Sequence, residues 1–483
     1  MRRQNNKVLL NRKEASNHSV NVIHFGLGSF YRAFACDYFQ RMNSDYKDSV
    51  RVLGVSLRTP KIIRALERQN GLFTAFEKGS DQLSFRIFDS ICDVAYAPDD
   101  PLFLLEALAG PSVALVTLTI TEKGYCLIPS SGELDLNNSE IIYDLQHPDA
   151  PRTAIGFLVY GLNLRKKRGL LPFTCLSCDN LSSNGKVLSR AVLDFAKMID
   201  IELAEWISSF GAFPSSMVDR IVPSISPDDM DLLVSLNPYL DFAPVIHEPY
   251  SFWVIENNFT EDAKFNFEEV GIKVVSDVET FERTKLRCLN GSHSALAYLG
   301  YISGFKTIFD AISNPVLEKF VNHLWTNEII PTVVAPANFE ISDYIEDLKV
   351  RYKNPNIKHL TKQIAMDGSQ KLPQRILGTI EDNLKVNGSI NLLCEVIAAW
   401  IRYNNGEDEF GNKFEVNDPK AEQFLTINKL ATKSSDLIDM YLNIDDIFSC
   451  ELKRSGVFRL VLEEAYLRQK KIGTLKSIEK AIR

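Results

Sequence analysis

Four short apolar or β-branched segments lie within the first 180 residues, each closing in polar or glycine-containing sequence, and they constrain the fold of this chain most. They are VNVIHFG at 20–26, VRVLGVSL at 50–57, SVALVTLTI at 112–120 and FTCLSC at 173–178. Helical spacing at 32–42 and 61–69 fills gaps between them. Strands that alternate with helices pair in parallel, because a parallel neighbour is reached only through a crossover long enough to hold a helix. The segment LSFRIFDSICDV at 83–94 reads as added antiparallel strands. From about residue 280 the pattern turns helical, with segments at 290–301, 315–327, 342–353, 392–404 and 453–469 and loops at 331–336 and 405–413. A chain of 483 residues exceeds one ordinary core. The expectation is an α/β Rossmann-like amino-terminal domain over 1–279 that binds a dinucleotide, and a mainly α-helical carboxy-terminal domain over 280–483 that carries substrate and catalysis.

A net charge of −8 gives no electrostatic footprint for nucleic acid, and the short RKKR at 165–168 reads as the solvated end of a helix. There is no apolar run of membrane-spanning length, and the start MRRQNNKVLLNRKEASNHS lacks both the apolar core of a secretory signal and a twin-arginine pattern. No membrane partner is expected. The eight cysteines are scattered rather than spaced as a disulfide scaffold, which points to a reducing cytoplasm. Cys175 and Cys178 form a CxxC, but within a strand residues three apart face opposite sides, which argues against redox or zinc chemistry. The seven histidines form no HxxxH or HExxH pair, so no metal site is expected.

The first strand runs into GLGSFYRA, where Gly26 and Gly28 are spaced as the first two glycines of a dinucleotide fingerprint and Tyr31 takes the place of the third. Arg32 reads as a phosphate contact or a helix-surface arginine. The tip of the second strand is Ser56-Leu57-Arg58-Thr59, without the acid that would meet an adenosine ribose, and Arg58 suits a 2′-phosphate or the adenine face, or points to solvent. Asp179 and Asn180 end the fourth strand, either as ligand contacts or as a turn and helix cap. Asp219 and Arg220 in FPSSMVDRIVP read as a buried ion pair or a substrate contact. DGSQKLPQR at 367–375 reads as a short polar loop whose Ser369, Gln370, Lys371 and Arg375 suit a hydroxylated or carboxylated molecule.

KLRCLNGSH at 285–293 reads as a helix start. At roughly 100° per residue, Lys285, His293 and Asn290 fall near roughly 0°, 80° and 140°, and Glu282 near roughly 60°. One face thus gathers a base, two hydrogen-bonding groups and a carboxylate. A lysine acts as a general base when burial or neighbours lower its pKa, and a neutral imidazole and a carboxamide stabilise an alkoxide without a metal. An ordinary polar helix face is the alternative.

Together these segments resemble the polyol-specific long-chain dehydrogenases, a family that includes mannitol 2-dehydrogenase and fructuronate reductase. GLGSFYRA, TLTITEKGY at 117–125, SCDNLSSNG at 177–185, MVDRIVP at 217–223, EPYSFWVIENNF at 248–259, KLRCLNGSHSALAYLGY at 285–301 and DGSQKLPQR follow in the family's order over almost the whole chain. The resemblance implies a metal-independent NAD(P) dehydrogenase acting on a sugar acid or polyol, and a monomer. It makes Lys285 the general acid/base and Asn180 and Asn290 the oxyanion hole, so that the site draws on both domains. His293 becomes a partner of substrate and lysine, and Glu282 a water path for the proton. Asp219 and Lys371 become substrate contacts, and Gly26, Gly28, Phe30, Arg32, Arg58 and Thr121 contacts of NAD, with NADP left open. Tyr31 and Phe34 stand where relatives commonly carry histidine. Gln363 and Met366 replace the arginine and histidine of a bacterial mannitol-active branch, and QIAMDGSQKLPQR looks like the fructuronate reductase branch. A hexuronate needs a cation for its carboxylate, and Arg375 with Lys371 would supply it. The expected reaction is D-fructuronate/D-mannonate, with mannitol or arabinitol dehydrogenation as the alternative and a silent sugar- or nucleotide-binding relative as a third.

Overall fold

The computed structural model describes residues 7–12, 19–45, 49–128 and 131–483. Arg2, Arg3 and part of the amino-terminal segment read above for targeting lie outside them. The chain divides into two compact units, Met1–Glu279 and Thr280–Arg483.

In the first unit, five parallel strands form the central sheet: β1 (Val22–Phe25), β2 (Val52–Ser56), β3 (Ile91–Tyr96), β4 (Leu115–Leu118) and β5 (Thr174–Ser177). Their spatial order is β3-β2-β1-β4-β5, every neighbouring pair parallel. Such a sheet changes direction between β1 and β4, where the crossovers diverge and leave a crevice at the carboxyl ends. Both faces are covered, so alternate residues enter two cores. Ile23, Phe25, Val55, Leu118 and Cys175 pack into one, and Val22, Val52, Leu115, Leu176 and Cys178 into the other. The CxxC cysteines therefore do face opposite sides.

The segment at 83–94 divides. Leu83–Phe88 is antiparallel to Phe73–Lys78 in a separate small sheet, whereas β3 joins the edge of the central sheet in parallel. Its expectation as antiparallel is corrected, since Ile91 and Val94 align along β2 rather than turning back on Phe88. A third sheet pairs β6 (Ser216–Asp219) antiparallel with β7 (Phe252–Glu256). Arg165 is also not solvated. It is buried at the end of the helix Ala154–Lys167, where its guanidinium donates to the carbonyls of Leu171 at 2.6 Å and Gly110 at 2.7 Å.

The second unit is helical. Pro315–Leu324, Ile341–Tyr352, Asn391–Tyr403 and Gly456–Ile472 carry its core. The pattern read at 453–469 breaks at Ser455, which caps the second piece. Three stretches widen into π-turns closed by i→i+5 hydrogen bonds: Leu286–Gly291, Trp325–Ile329 and Pro373–Leu377. The first packs against both of the others. No helix among the described residues is long and apolar enough to cross a membrane.

Candidate active site

At the end of β1 the backbone turns at Gly26 with φ +93°, where a Cβ would lie 2.0 Å from the carbonyl oxygen of Thr119. Only glycine fits. A Cβ on Gly28 would meet nothing nearer than 3.7 Å, so its bareness leaves room on the open side rather than satisfying the protein. That side is a cavity of about 810 Å³ lined by Gly26, Gly28, Ser29, Arg32, Lys61 and Arg68 among others. A second cavity, lined by Gly26, Ser56, Arg58, Ile120 and Thr121, lies along the carboxyl ends of β1, β2 and β4.

The helix after the loop is short. Ser29–Ala33 ends at Phe34, and Ala35–Asp45 continues it, so the single helix expected at 32–42 is two pieces. Tyr31, in place of a third glycine, lies flat on the His24 imidazole of β1 with ring centroids 3.2 Å apart. His24 in turn bonds Thr117 Oγ1 at 2.9 Å and the Gly26 carbonyl at 3.1 Å, and burial drives its pKa down to about 3. The loop thus rests on a neutral histidine. Phe30 stacks on Phe34 at 5.1 Å. Arg32 is neither on a helix surface nor free in solvent. It is buried, donates to the Ala243 carbonyl and lies over the Phe73 ring, while still lining the cavity. Arg58 is exposed beside the second cavity.

The ends of β4 and β5 are fastened by Asp179. Its carboxylate accepts from the amides of Ile120 at 3.0 Å and Thr121 at 2.9 Å and from the Tyr125 hydroxyl at 2.8 Å. Burial raises its pKa against those bonds. Asp179 is therefore not a helix cap, because Ser183 occupies that place. The fastening holds Thr121 at φ +64°, a strained value for a β-branched residue. Asn184, missed in the sequence, donates to the carbonyls of Asp179 and Ser216 and accepts from the Ser216 amide, joining β5 to β6. Asn180 is exposed at the tip of β5, and Asp219 is buried at the end of β6. Arg220 pairs with Asp37 at 3.0 Å, so the ion pair in MVDRIVP reaches across the fold.

In the second unit KLRCLNGSH is the middle of a helix rather than its start. The helix Glu279–Lys285 passes into the π-turn Leu286–Gly291 and resumes as Ser292–Ile302. The wheel of 100° steps fails there, because a wider turn brings residues five apart, such as Lys285 and Asn290, toward one face. Side chains satisfy carbonyls of the wide turn. The Cys288 carbonyl accepts from Ser292 Oγ at 2.5 Å and Trp325 Nε1 at 2.8 Å, and that of Leu289 accepts from the Tyr352 hydroxyl at 2.9 Å. Lys285, Asn290 and His293 are buried, and Glu282 is half-buried one turn earlier. The Asn290 carboxamide makes no hydrogen bond within the described residues, and His293 Nε2 is buried without a partner. Burial, with His359 and Arg375 nearby, holds the pKa of His293 well below its usual value.

DGSQKLPQR is not a loop but the short helix Gly368–Leu372 followed by the π-turn Pro373–Leu377. Asp418 binds the Ser369 amide at 2.8 Å and hydroxyl at 2.6 Å, so Ser369 is turned into the fold. A Cβ on Gly291 would lie 3.0 Å from the Arg375 carbonyl, the point where two π-turns touch. Arg375 is half-buried and donates to Ser294 Oγ at 3.3 Å. Lys371 donates to the Met366 carbonyl and pairs with Asp367 at 3.8 Å.

Residues 20–268 match the family model for the mannitol dehydrogenase Rossmann domain, and residues 277–468 match the model for the mannitol dehydrogenase C-terminal domain. The chain belongs to the mannitol dehydrogenase family. It is 39% identical to the D-mannonate oxidoreductase of Escherichia coli over 92% of both chains. It is 36% identical to a mannitol dehydrogenase of Saccharomyces cerevisiae over 90% of this chain and 87% of the relative. Among solved structures, the Pseudomonas fluorescens mannitol 2-dehydrogenase in ternary complex with NAD and D-mannitol superposes with a TM-score of 0.85 at 31% identity, covering 98% of this chain and 96% of that one. The chain is an oxidoreductase of this family.

Proposed function

We propose that the chain is an NAD-dependent secondary-alcohol dehydrogenase interconverting D-fructuronate and D-mannonate, with Lys285 as general acid/base. The observation that carries the substrate choice is Arg375, which has no carboxylate within ion-pairing distance among the described residues. A half-buried guanidinium without an acid suits the carboxylate of a hexuronate, whereas a hexitol brings it no charge. Lys371 already has Asp367, so of the two cations Arg375 is the better receptor. The 39% identical relative named for D-mannonate supports the same reading.

The bare backbone at Gly28 and the cations Arg32, Lys61 and Arg68 around that cavity fit a dinucleotide pyrophosphate. When bound, the nicotinamide supplies or accepts the hydride. In reduction the Lys285 ammonium gives its proton to the ketone oxygen as the carbonyl carbon gains hydride, and the Asn290 carboxamide donates to that oxygen. The resemblance gives the same role to Asn180. His293 acts as a neutral hydrogen-bonding group, since its burial opposes a charge. In oxidation the free lysine amine takes the hydroxyl proton, and Glu282 lies one turn away as its route to water. Asp219 and Lys371 are substrate contacts in this reading, and the absence of an acid from Ser56 to Thr59 leaves NADP open.

A second reading, D-mannitol/D-fructose, is favoured by the solved neighbour that holds D-mannitol. A steady-state screen of D-fructuronate, D-fructose, D-mannonate, D-mannitol and D-arabinitol with both cofactors separates the two. The kcat/KM for fructuronate should exceed that for fructose by at least about tenfold, as a charge-assisted hydrogen bond warrants. Turnover of polyols alone would sink the uronate reading.

A further inference from the structure

Beside His293, on which Arg375 also acts, the second unit holds a group that the sequence patterns did not reveal. His359 lies between the helices Ile341–Tyr352 and Thr361–Ile364, and its ring meets that of His293 edge-on with centroids 4.8 Å apart. Tyr352 also stacks on the His293 ring, at 5.0 Å. Two imidazole nitrogens in this cluster, His359 Nδ1 and His293 Nε2, are buried without any hydrogen-bond partner. Leaving one such group dry is costly, and leaving two side by side calls for an explanation, such as a ligand that completes them.

The charged side chains acting directly on the pair are cations, one of which, Lys371, is itself paired with Asp367. Arg375 and Arg351 act on His293, and Lys371 acts on His359. Neither histidine has a carboxylate among the groups acting on it. Burial, with the cations adding to it, keeps both rings neutral, His359 at about 4, and an entering anion would offset those cations. A neutral ring also keeps one N–H to donate.

We infer that His359 is a specificity-determining residue which, with Arg375, receives the carboxylate of the substrate, its Nδ1 donating to one carboxylate oxygen. This rests on the hexuronate reading above. Arg375 alone would serve any anion of suitable size. The added imidazole fixes where the carboxylate sits, and so which carbon of the sugar is presented for hydride transfer.

The experiment compares wild type, His359→Leu and His359→Asn in D-fructuronate reduction, with D-mannitol as the uncharged comparison through its oxidation or, where that is nil, its inhibition constant. Asparagine places a donor near the Nδ1 position, and leucine places none. His359→Leu should raise the KM for fructuronate about tenfold while the mannitol constant moves less than about twofold, and His359→Asn should recover most of the loss. Equal losses for the acid and the hexitol, no loss for either, or no recovery by asparagine would overturn the inference. A wild-type enzyme indifferent to the carboxylate would instead overturn the substrate reading itself.

Discussion

The glycine loop of the first unit and the π-turn of the second both place candidate functional groups through irregular backbone, but by opposite means. At Gly26 the irregularity is written in one residue, because φ +93° and a Thr119 oxygen 2.0 Å from any Cβ admit nothing else. In Leu286–Gly291 it is held from outside, by Trp325 and Tyr352 bonding the carbonyls of Cys288 and Leu289. A loop made by absence of side chains is legible locally, whereas a turn made by distant side chains is not.

The comparison breaks first at the lysine. Lys285→Ala should lower kcat by about 10³-fold with dinucleotide affinity unchanged, as for loss of a positioned acid/base; rapid-quench kinetics and fluorescence titration read the two. Next come the two glycines, which should differ. Gly28→Ala should fold normally yet raise the dinucleotide Kd at least about tenfold, a loss typical when backbone can no longer approach a phosphate. Gly26→Ala should destabilise the protein by about 3 kcal/mol, from strain and overlap together. Equal melting temperatures for the two variants would undo the distinction.

Smaller effects test the support of the π-turn. Tyr352→Phe removes one of the bonds to the buried Leu289 carbonyl, to which Ser292 Oγ still donates at 3.2 Å, and should cost about 0.5–1.5 kcal/mol in urea unfolding. It should also lower kcat more than it alters dinucleotide Kd, and an unchanged kcat would separate the turn from the chemistry. A further effect is that of pH on stability. His24 sits at about 3, and His247 and His359 at about 4. Folded values below that of a free histidine mean that this stabilisation is complete above about pH 6.5 and lost as pH falls toward 4, because the unfolded chain then binds protons that the fold refuses. Each contributes a slope of up to about 1.4 kcal/mol per pH unit. The raised carboxyls of Asp179 and Glu328 oppose the fall. The melting temperature should be lower at pH 5 than at pH 7, and a rise would contradict the burial argument.

Much of the first unit is legible in the sequence, since β-branched runs and a glycine pair are local signals. β3 escaped because Ile91–Tyr96 follows an antiparallel strand after only two residues, and nothing in its composition says that it crosses to the other sheet. Arg165 was misplaced for a similar reason: one of its partners is the carbonyl of Gly110, 55 residues earlier in the chain, which spacing does not encode. The bond from Arg32 to the Ala243 carbonyl is equally invisible to spacing. In the second unit the residue types around Lys285 were legible, but their arrangement on a regular wheel was not, and DGSQKLPQR looked like a loop because its polar residues are turned inward by Asp418 and Ser294. His359 stood in no pattern at all.

The central claim, that the π-turn presents Lys285 as the acid/base, is tested most directly by chemical rescue. In Lys285→Ala, alcohol oxidation measured with saturating NAD should rise linearly with the free-base concentration of a small primary amine and level off as the amine saturates the vacated space. A variant that binds NAD and substrate normally yet shows no dependence on amine, or that turns over at the wild-type rate without one, would contradict it.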